Sequence, residues 1–149
     1  MIPATHAQYV LDASVAAKWF TRHVEPDREK ALALRERHRT RRCRLTLPEF
    51  GLLEILNAVR YSPRAREADT AAALAVLSDL QLQLEPLDLA LLRKAIAIAW
   101  GYGISLYDAA YVGLAERLGF PFITADEALL KKMRGHSIVL HLREMEFPS

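Results

Sequence analysis

Cysteine, long apolar runs and strong net charge are all scarce in this sequence. Cys43 is the only cysteine among 149 residues, which excludes an internal disulfide and a cysteine-rich zinc site. No apolar run reaches the roughly 18 residues of a membrane-spanning helix, and no basic leader precedes an apolar segment at the start of the chain. We therefore expect a cytoplasmic protein that has no membrane partner.

The composition is ordinary for a globular domain. Apolar residues make up 52% and charged residues 26% of the chain, and the formal charge of +2 predicts no particular class of partner. A chain of 149 residues has a common domain size and can bury a core of its own. Because we find no repeat, low-complexity tract or linker, we predict a single domain over residues 1–149.

Short apolar runs alternate with longer helical patterns, which is typical of an α/β fold with a parallel sheet. The predicted strands cover residues 8–12, 43–47, 83–87, 120–124 and 138–142. Pro26 and Asp27 open one predicted helix, and the others cover residues 14–20, 48–60, 65–80, 89–100, 106–118 and 127–133. Three of these helices have side chains suited to an N-cap, namely Asp88, Ser105 and Asp126.

Acidic side chains interrupt apolar runs at Asp12, Glu54 and Asp126. Carboxylates seldom enter apolar surroundings unless they are paired or bind a metal. Asp12 closes the first predicted strand and Asp126 follows the fourth, so we expect both at the carboxyl edge of the sheet, where ligands bind. Each also suits a helix N-cap, and this simpler role stays open.

Two more polar positions fall on predicted helices. Glu54 and Asn57 are three positions apart in an almost wholly apolar helix, so they share one helix face. That face either points inward with a carboxylate and an amide or forms an exposed polar stripe. Asp108 lies among small residues that indicate close helix packing, although an acid in a first turn also suits the helix dipole.

The four acids together predict a cation site. Two like charges about 4 Å apart repel by about 4 kcal/mol at an effective dielectric near 20, so four clustered carboxylates stay ionised only with cations. Oxygen ligands favour Mg²⁺, with Mn²⁺ as a substitute, over zinc. We expect no histidine zinc site, because neither HxxxH nor HExxH spacing links the histidines at 6, 23, 38, 136 and 141.

Residues 35–44 contain six arginines. Arg39, Arg41 and Arg42 are candidates for contact with RNA phosphates beside a negative site. The alternative is a solvated helix end whose positive charge complements the helix dipole, and both interpretations stay open.

Four motifs make the sequence resemble the PIN-domain ribonucleases, in particular the VapC-type toxins of prokaryotic toxin–antitoxin pairs. In the family's order and over nearly the whole chain, they are residues 10–15 (VLDASV), 54–57 (EILN), 105–111 (SLYDAAY) and 123–130 (ITADEALL). The third followed by the fourth is the most specific part. The chain keeps all four acids of the family pattern, and residues 61–90 carry no motif that we recognise.

The resemblance implies a PIN-like three-layer α/β/α fold with a five-stranded parallel sheet in the order 3-2-1-4-5. It also implies Mg²⁺-dependent hydrolysis of RNA phosphodiester bonds, with catalytic and metal-binding roles for Asp12, Glu54, Asp108 and Asp126. The implied polar support consists of Ser14, Asn57 and Thr124. The implied partners are an RNA substrate, a cognate antitoxin that places a basic side chain in the acidic site, and a second copy of the chain in a homodimer.

The mechanism implied by the family is in-line attack of water that displaces the 3′ oxygen and leaves a 5′ phosphate. Asp12 and Asp108 would hold the main ion, Glu54 would orient or deprotonate the water, and Asp126 would help with a second ion.

Two other functions compete with this one. A haloacid-dehalogenase-like phosphatase needs a second acid two residues after Asp12, where this chain has Ser14, so this class is disfavoured. A catalytically silent PIN-like scaffold that binds RNA or a protein remains as the alternative, and the presence of all four acids argues against it.

Overall fold

A five-stranded parallel sheet forms the centre of the protein. The computed structural model describes residues 7–21 and 24–147. Within them the strands are ordered β3-β2-β1-β4-β5, and all four pairings are parallel. The strands are β1 (Ala7–Leu11), β2 (Cys43–Pro48), β3 (Gln83–Glu85), β4 (Phe122–Thr124) and β5 (Val139–His141). The predicted sheet order 3-2-1-4-5 is therefore confirmed.

Helices cover both faces of this sheet. They are α1 (Ala13–Ala16), which a 3₁₀ turn continues over Ala17–Phe20, then α2 (Arg28–Arg39), α3 (Phe50–Arg60), α4 (Glu67–Leu80), α5 (Leu89–Tyr102), α6 (Leu106–Leu118) and α7 (Glu127–Lys132). A short 3₁₀ turn over Leu142–Glu144 follows β5. The predicted three-layer α/β/α architecture is confirmed.

The two faces of the sheet bury separate hydrophobic cores. Successive residues of a strand point to opposite faces, and Leu11 and Val10 of β1 accordingly belong to different cores. Leu11 packs with residues of α1 to α4, such as Leu34 and Ile55. Val10 packs with residues of α5, α6 and α7, such as Leu114. The central strand is thus covered on both sides, which fixes the position of Asp12 at its end.

Several helix ends are set by local sequence, as predicted. Asp88 Oδ1 accepts a hydrogen bond from the Leu91 amide at 2.7 Å, and Ser105 Oγ accepts one from the Asp108 amide at 3.1 Å. α6 ends at Gly119, whose φ of 74° places it in the left-handed region that favours glycine. These contacts supply partners that the terminal turns of a helix otherwise lack.

Some predicted boundaries were wrong, for reasons that involve partners elsewhere. Pro48 was predicted to begin a helix, but it is the last residue of β2 and pairs in register with Glu85 of β3. Phe120 was predicted to begin a strand, but its amide donates to the Ala115 carbonyl and completes the end of α6, so β4 begins two residues later. The predicted strand over residues 138–142 is shorter because Leu142 begins a 3₁₀ turn.

Within residues 7–21 and 24–147, no single helix combines the length and apolar character needed to cross a membrane; only α5 and α6 taken together, bent by 115°, meet that criterion.

Candidate active site

Asp12 lies at the carboxyl edge of the sheet, immediately after the central strand. Its side chain is buried, with a residue exposure of 6%, and Oδ2 accepts hydrogen bonds of 2.7 Å from both Ser14 Oγ and Thr124 Oγ1. Thr124 ends the neighbouring strand β4, and the Asp12 amide donates to the Ile123 carbonyl of that strand. No described residue donates to Oδ1 of Asp12. The carboxylate is therefore held firmly by one oxygen, while the other lacks a protein donor.

The same two hydroxyls connect the turns that follow β1 and β4. Ser14 Oγ accepts from the Ala125 amide at 3.0 Å, and Thr124 Oγ1 accepts from the Asp126 amide at 3.0 Å. Asp126 Oδ1 in turn accepts from the Leu129 amide at 3.1 Å, which makes Asp126 the N-cap of α7. The cap interpretation of Asp126 thus holds, and the cap places this acid beside the Asp12 network.

Asn57, the remaining polar position predicted to support the site, is exposed on α3. Its side chain makes no hydrogen bond with the described residues. The structure therefore brings Ser14 and Thr124 to Asp12 but does not bring Asn57 into this network.

Glu54 reaches the site from α3 and is held by a residue of α6. The Tyr111 hydroxyl donates to Glu54 Oε1 at 2.9 Å, and Tyr111 itself is fully buried. Glu54 is half-buried, so the inward interpretation of its helix face describes it better than an exposed polar stripe. Tyr111 had no role in the sequence prediction. Its position one turn after Asp108, on the same helix face, was the available signal.

The four acids influence one another electrostatically. Burial raises the pKa of Asp12 to about 6, the charges of Asp108 and Glu54 add to the effect, and the hydroxyls of Ser14 and Thr124 oppose it. Burial also raises the pKa of Glu54, with a further contribution from Asp108 and opposition from the Tyr111 hydroxyl. The pKa of Asp108 is raised by burial and then by the charge of Asp126. The four predicted acids therefore share one region of negative potential.

A divalent cation fits the chemistry of this region. All four acids carry oxygen ligands, the type that Mg²⁺ and Mn²⁺ prefer. A cation would relieve the charge repulsion that adds to the effect of burial on the pKa values of Asp12, Glu54 and Asp108. Asp12, Glu54, Asp108 and Asp126 are the residues that could hold such an ion. In the part of the chain that the structure describes, however, no three Asp, Glu, His or Cys side chains form a preorganised metal site. Binding would need side-chain rotations.

The described histidines are engaged apart from one another. His38 contacts the Leu80 carbonyl, His136 contacts Glu116, and His141 lies near Glu127. His6 and His23 lie outside the described residues. No histidine metal site is thus seen among residues 7–21 and 24–147.

The arginines of residues 39–44 lie at the opposite edge of the sheet. They end α2 and lead into the start of β2, whereas Asp12 and Asp126 lie just beyond the carboxyl ends of β1 and β4. β2 has six residues, so about 16 Å separates its two ends at roughly 3.3 Å per residue. Arg39 pairs with Glu36 at 2.6 Å, whereas Arg41 and Arg42 are exposed. The structure therefore places this cluster away from Asp12 and Asp126, and its contact with RNA stays a prediction.

Comparison with known proteins agrees with this fold. A family model described as the PIN domain matches residues 9–135, which include all four acids. The chain therefore belongs to the PIN-domain family.

Named relatives in this family are of the VapC type. The chain is 46% identical over 41 residues to Ribonuclease VapC3 of Pyrobaculum aerophilum, an alignment that covers 28% of this chain and 31% of the relative. It is 30% identical over 94 residues to Exonuclease VapC9 of the same organism, covering 63% of this chain and 71% of the relative. The alignments thus span about a third of VapC3 and about seven tenths of VapC9.

Solved structures share the fold over most of the chain. The protein PAE2754 from Pyrobaculum aerophilum is 25% identical, with a TM-score of 0.62 and coverage of 92% of this chain and 90% of its own. A chain of a toxin–antitoxin complex from Klebsiella pneumoniae has a TM-score of 0.63 at 15% identity, with coverage of 92% and 99%. At that identity, the second similarity supports the fold alone.

Proposed function

We propose that this protein is a Mg²⁺-dependent endoribonuclease, the toxin of a type II toxin–antitoxin pair, which hydrolyses RNA phosphodiester bonds in the cytoplasm. The observation that carries the proposal is the buried carboxylate of Asp12, whose pKa is raised to about 6 by burial and by the charges of Asp108 and Glu54. A protein that keeps such repulsion at a sheet edge, where ligands bind, needs a cation there to relieve it. The membership of the PIN-domain family and the relative named Ribonuclease VapC3 support RNA as the substrate.

Bound Mg²⁺ would supply charge neutralisation at the phosphodiester and a lowered pKa for water. Asp12 and Asp108 would hold the ion, since no described residue donates to Asp12 Oδ1 and the charge of Asp108 acts on Asp12. Glu54 would orient the attacking water and accept its proton. Its raised pKa suits this task, because a general base works best with a pKa near the working pH.

Asp126 would stabilise charge on the leaving side of the reaction, by holding a second ion if one binds. Its Oδ1 already caps α7 through the Leu129 amide, so this acid has less freedom than Asp108. Water attack in line would displace the 3′ oxygen and leave a 5′ phosphate, as in the family. The stoichiometry of a Mn²⁺ titration would show whether the protein binds one ion or two.

An antitoxin with a basic side chain would occupy the acidic region in competition with the cation. An arginine or lysine near Asp12 and Asp108 would relieve the same repulsion that Mg²⁺ relieves. The membership of the PIN-domain family and the relatives named VapC support an antitoxin as partner. Inhibition by such a partner should therefore weaken as the Mg²⁺ concentration rises.

A homodimer is the assembly that the surface of α5 favours. Leu89, Leu92, Ile96 and Trp100 form a stripe on one side of this helix and are 67%, 39%, 51% and 86% exposed. Their spacing of three or four residues gives one continuous apolar face. Contiguous apolar surface of this kind commonly marks a protein interface, and a second copy of the chain would cover it with an identical stripe.

A fluorogenic RNA assay with and without Mg²⁺ tests the proposed activity. We expect cleavage that requires Mg²⁺ or Mn²⁺, stops with EDTA, and is lost in Asp12→Asn and Asp108→Asn. Asp79→Asn serves as the matched control, because Asp79 is an exposed acid on α4 and should leave activity unchanged.

Cleavage that survives EDTA and both site substitutions would contradict the proposal. A protein that binds RNA but never cleaves it, with or without Mg²⁺, would instead support the catalytically silent PIN-like scaffold.

A further inference from the structure

Tyr111 is a buried tyrosine whose ring is fixed by aromatic neighbours. Its residue exposure is 0%. The ring stacks on Phe122 of β4 with centroids 5.5 Å apart and meets the edge of Phe50 of α3 at 5.4 Å. These contacts hold the ring between the sheet and α3. They would be equally available to phenylalanine, so packing alone does not explain the hydroxyl.

The hydroxyl has a specific partner in the acidic site. It donates to Glu54 Oε1 at 2.9 Å, across 57 positions of sequence. A buried phenol normally finds a partner, because an unmet hydrogen bond in the interior is costly. Here the partner is a half-buried carboxylate whose pKa is raised. The bond therefore joins a rigid side chain of α6 to the one site acid that α3 carries.

Gly51 gives the hydroxyl the space for this bond. A Cβ added at this position would lie 2.8 Å from the Tyr111 hydroxyl oxygen and 3.1 Å from Leu47 Cδ2. Gly51 lies in α3, three positions before Glu54, where glycine is less favourable than alanine by about 1 kcal/mol. Because Gly51 has no side chain, the Tyr111 hydroxyl can lie close to the backbone of α3 and reach Glu54 on the next turn of the helix.

We propose that Tyr111 is a positioning residue for the cleavage reaction. Its hydroxyl holds Glu54 through Oε1, and Gly51 leaves the space that the hydroxyl needs. The inference rests on the proposed function, because it assigns the role of Tyr111 through Glu54. The side-chain torsions of Glu54 would be free in water, and the partly buried hydrogen bond selects one of their combinations. In that orientation the carboxylate lies within the field of Asp108.

Tyr111→Phe removes the hydroxyl and keeps the ring contacts. We expect a decrease in kcat of about tenfold with little change in KM for RNA, because the loss of a partner that orients a metal-site acid commonly costs about ten- to a hundredfold. We also expect weaker binding of Mn²⁺ to the protein without RNA, measured by electron paramagnetic resonance of free Mn²⁺. Tyr107→Phe is the matched control, since Tyr107 also contacts the Phe50 ring but is 62% exposed.

A double-mutant cycle separates positioning from general packing. If Tyr111 acts through Glu54, Tyr111→Phe should cost little further activity or Mn²⁺ affinity in a Glu54→Gln background. Gly51→Ala should reproduce the kcat loss of Tyr111→Phe, because its Cβ displaces the hydroxyl. In a Tyr111→Phe background, Gly51→Ala should lower the melting temperature less than it does in the wild type. Part of the decrease should remain, because the added Cβ would still be crowded by Leu47.

Two outcomes would overturn the proposal. In the first, Tyr111→Phe matches the wild type in kcat and Mn²⁺ affinity. In the second, Tyr111→Phe lowers kcat and Mn²⁺ affinity as much in the Glu54→Gln background as in the wild type. If Tyr111→Phe fails to fold, Gly51→Ala with unchanged kcat overturns the proposal in its place. Failure of the proposed function gives a different result, since the wild-type protein itself would then neither cleave RNA nor bind Mn²⁺, and that result overturns both.

Discussion

Thr124 donates a hydrogen bond of 2.7 Å to Oδ2 of Asp12, although 112 positions separate the two residues in sequence. The same hydroxyl oxygen accepts the Asp126 amide at 3.0 Å. One side chain at the end of β4 thus orients the acid that follows β1 and the backbone of the acid that caps α7. Its two bonds make Thr124 the direct link between two of the four candidate acids.

Replacing Thr124 with valine should weaken the fold and the cation site together. The change keeps the shape of the side chain but removes a donor to Asp12 and an acceptor for the Asp126 amide. We expect the free energy of unfolding to fall by about 1–3 kcal/mol, the usual cost of an unmet buried partner. Urea denaturation measures the stability, and Mn²⁺ titration should show weaker binding.

Thr46→Val is the control for this substitution. Thr46 is a buried threonine of β2, on the other side of β1 from β4, and makes no side-chain hydrogen bond with the described residues. Its replacement should change stability much less. Equal effects of the two substitutions would contradict the role assigned to the Thr124 hydroxyl.

The charge of Asp12 should cost the folded protein stability as the pH rises. Burial raises the pKa of Asp12 from 3.8 to about 6, so the folded state binds this proton more tightly than the unfolded state does. The contribution is fully favourable below pH 3.8 and is lost as the pH rises through about 6. The loss is about 3 kcal/mol, since each pKa unit corresponds to about 1.4 kcal/mol.

Asp12→Asn should therefore be more stable than the wild type at pH 7.5 in EDTA, and the difference should shrink toward pH 4. Comparing the two proteins isolates Asp12 from the other titrating groups. Mg²⁺ should stabilise the wild type selectively, because only its site retains the full charge. A variant that is less stable than the wild type throughout this pH range would contradict the prediction.

Charge reversal of Arg41 and Arg42 should weaken RNA binding without slowing the cleavage of bound RNA. Both side chains are exposed, and they lie at the sheet edge opposite the acids. For each RNA phosphate that the variant no longer neutralises, the slope of log K against log salt should fall by about 1. Arg39→Glu should have a smaller effect, because Arg39 is already paired with Glu36. Unchanged slopes in all three variants would end the RNA-binding role of this cluster.

Ile96→Glu should convert a dimer to monomers. This substitution introduces a charge at the centre of the apolar stripe on α5, where a buried unpaired carboxylate would be strongly unfavourable. Sedimentation analysis of the variant should give the mass of one chain. Leu53→Glu is the matched control, because Leu53 is 70% exposed but lies on α3. A monomeric wild type, or a dimer that tolerates Ile96→Glu, would refute this interface.

The parts of the site that depend on local sequence could be predicted. Asp12 follows an apolar strand, and Asp126 stands at a strand-to-helix junction, so the sheet-edge rule placed both correctly. The caps at Asp88, Ser105 and Asp126 involve amides only three positions away. Interactions of such short range are largely independent of the rest of the fold.

The parts that depend on distant partners could not be predicted. The role of Tyr111 arises from a hydrogen bond to α3, and Pro48 stays in a strand because β3 pairs with it. The edge occupied by the arginines was deducible in principle, because residues that precede a strand lie opposite those that follow it. The direction of β2 that this deduction needs is given by the predicted parallel sheet, in which β2 runs parallel to β1.

The hydroxyl network at Asp12 also bears on when the proposed active centre can first form during synthesis. Asp12 and Ser14 are translated well before their partners Thr124 and Ala125, which follow them by 112 and 111 positions. A nascent or prematurely ended chain therefore has an incomplete centre whatever helices it has already formed. The proposed centre therefore cannot close before residues 124 and 125 have been made, and an inhibitor made earlier would have time to be present when it closes.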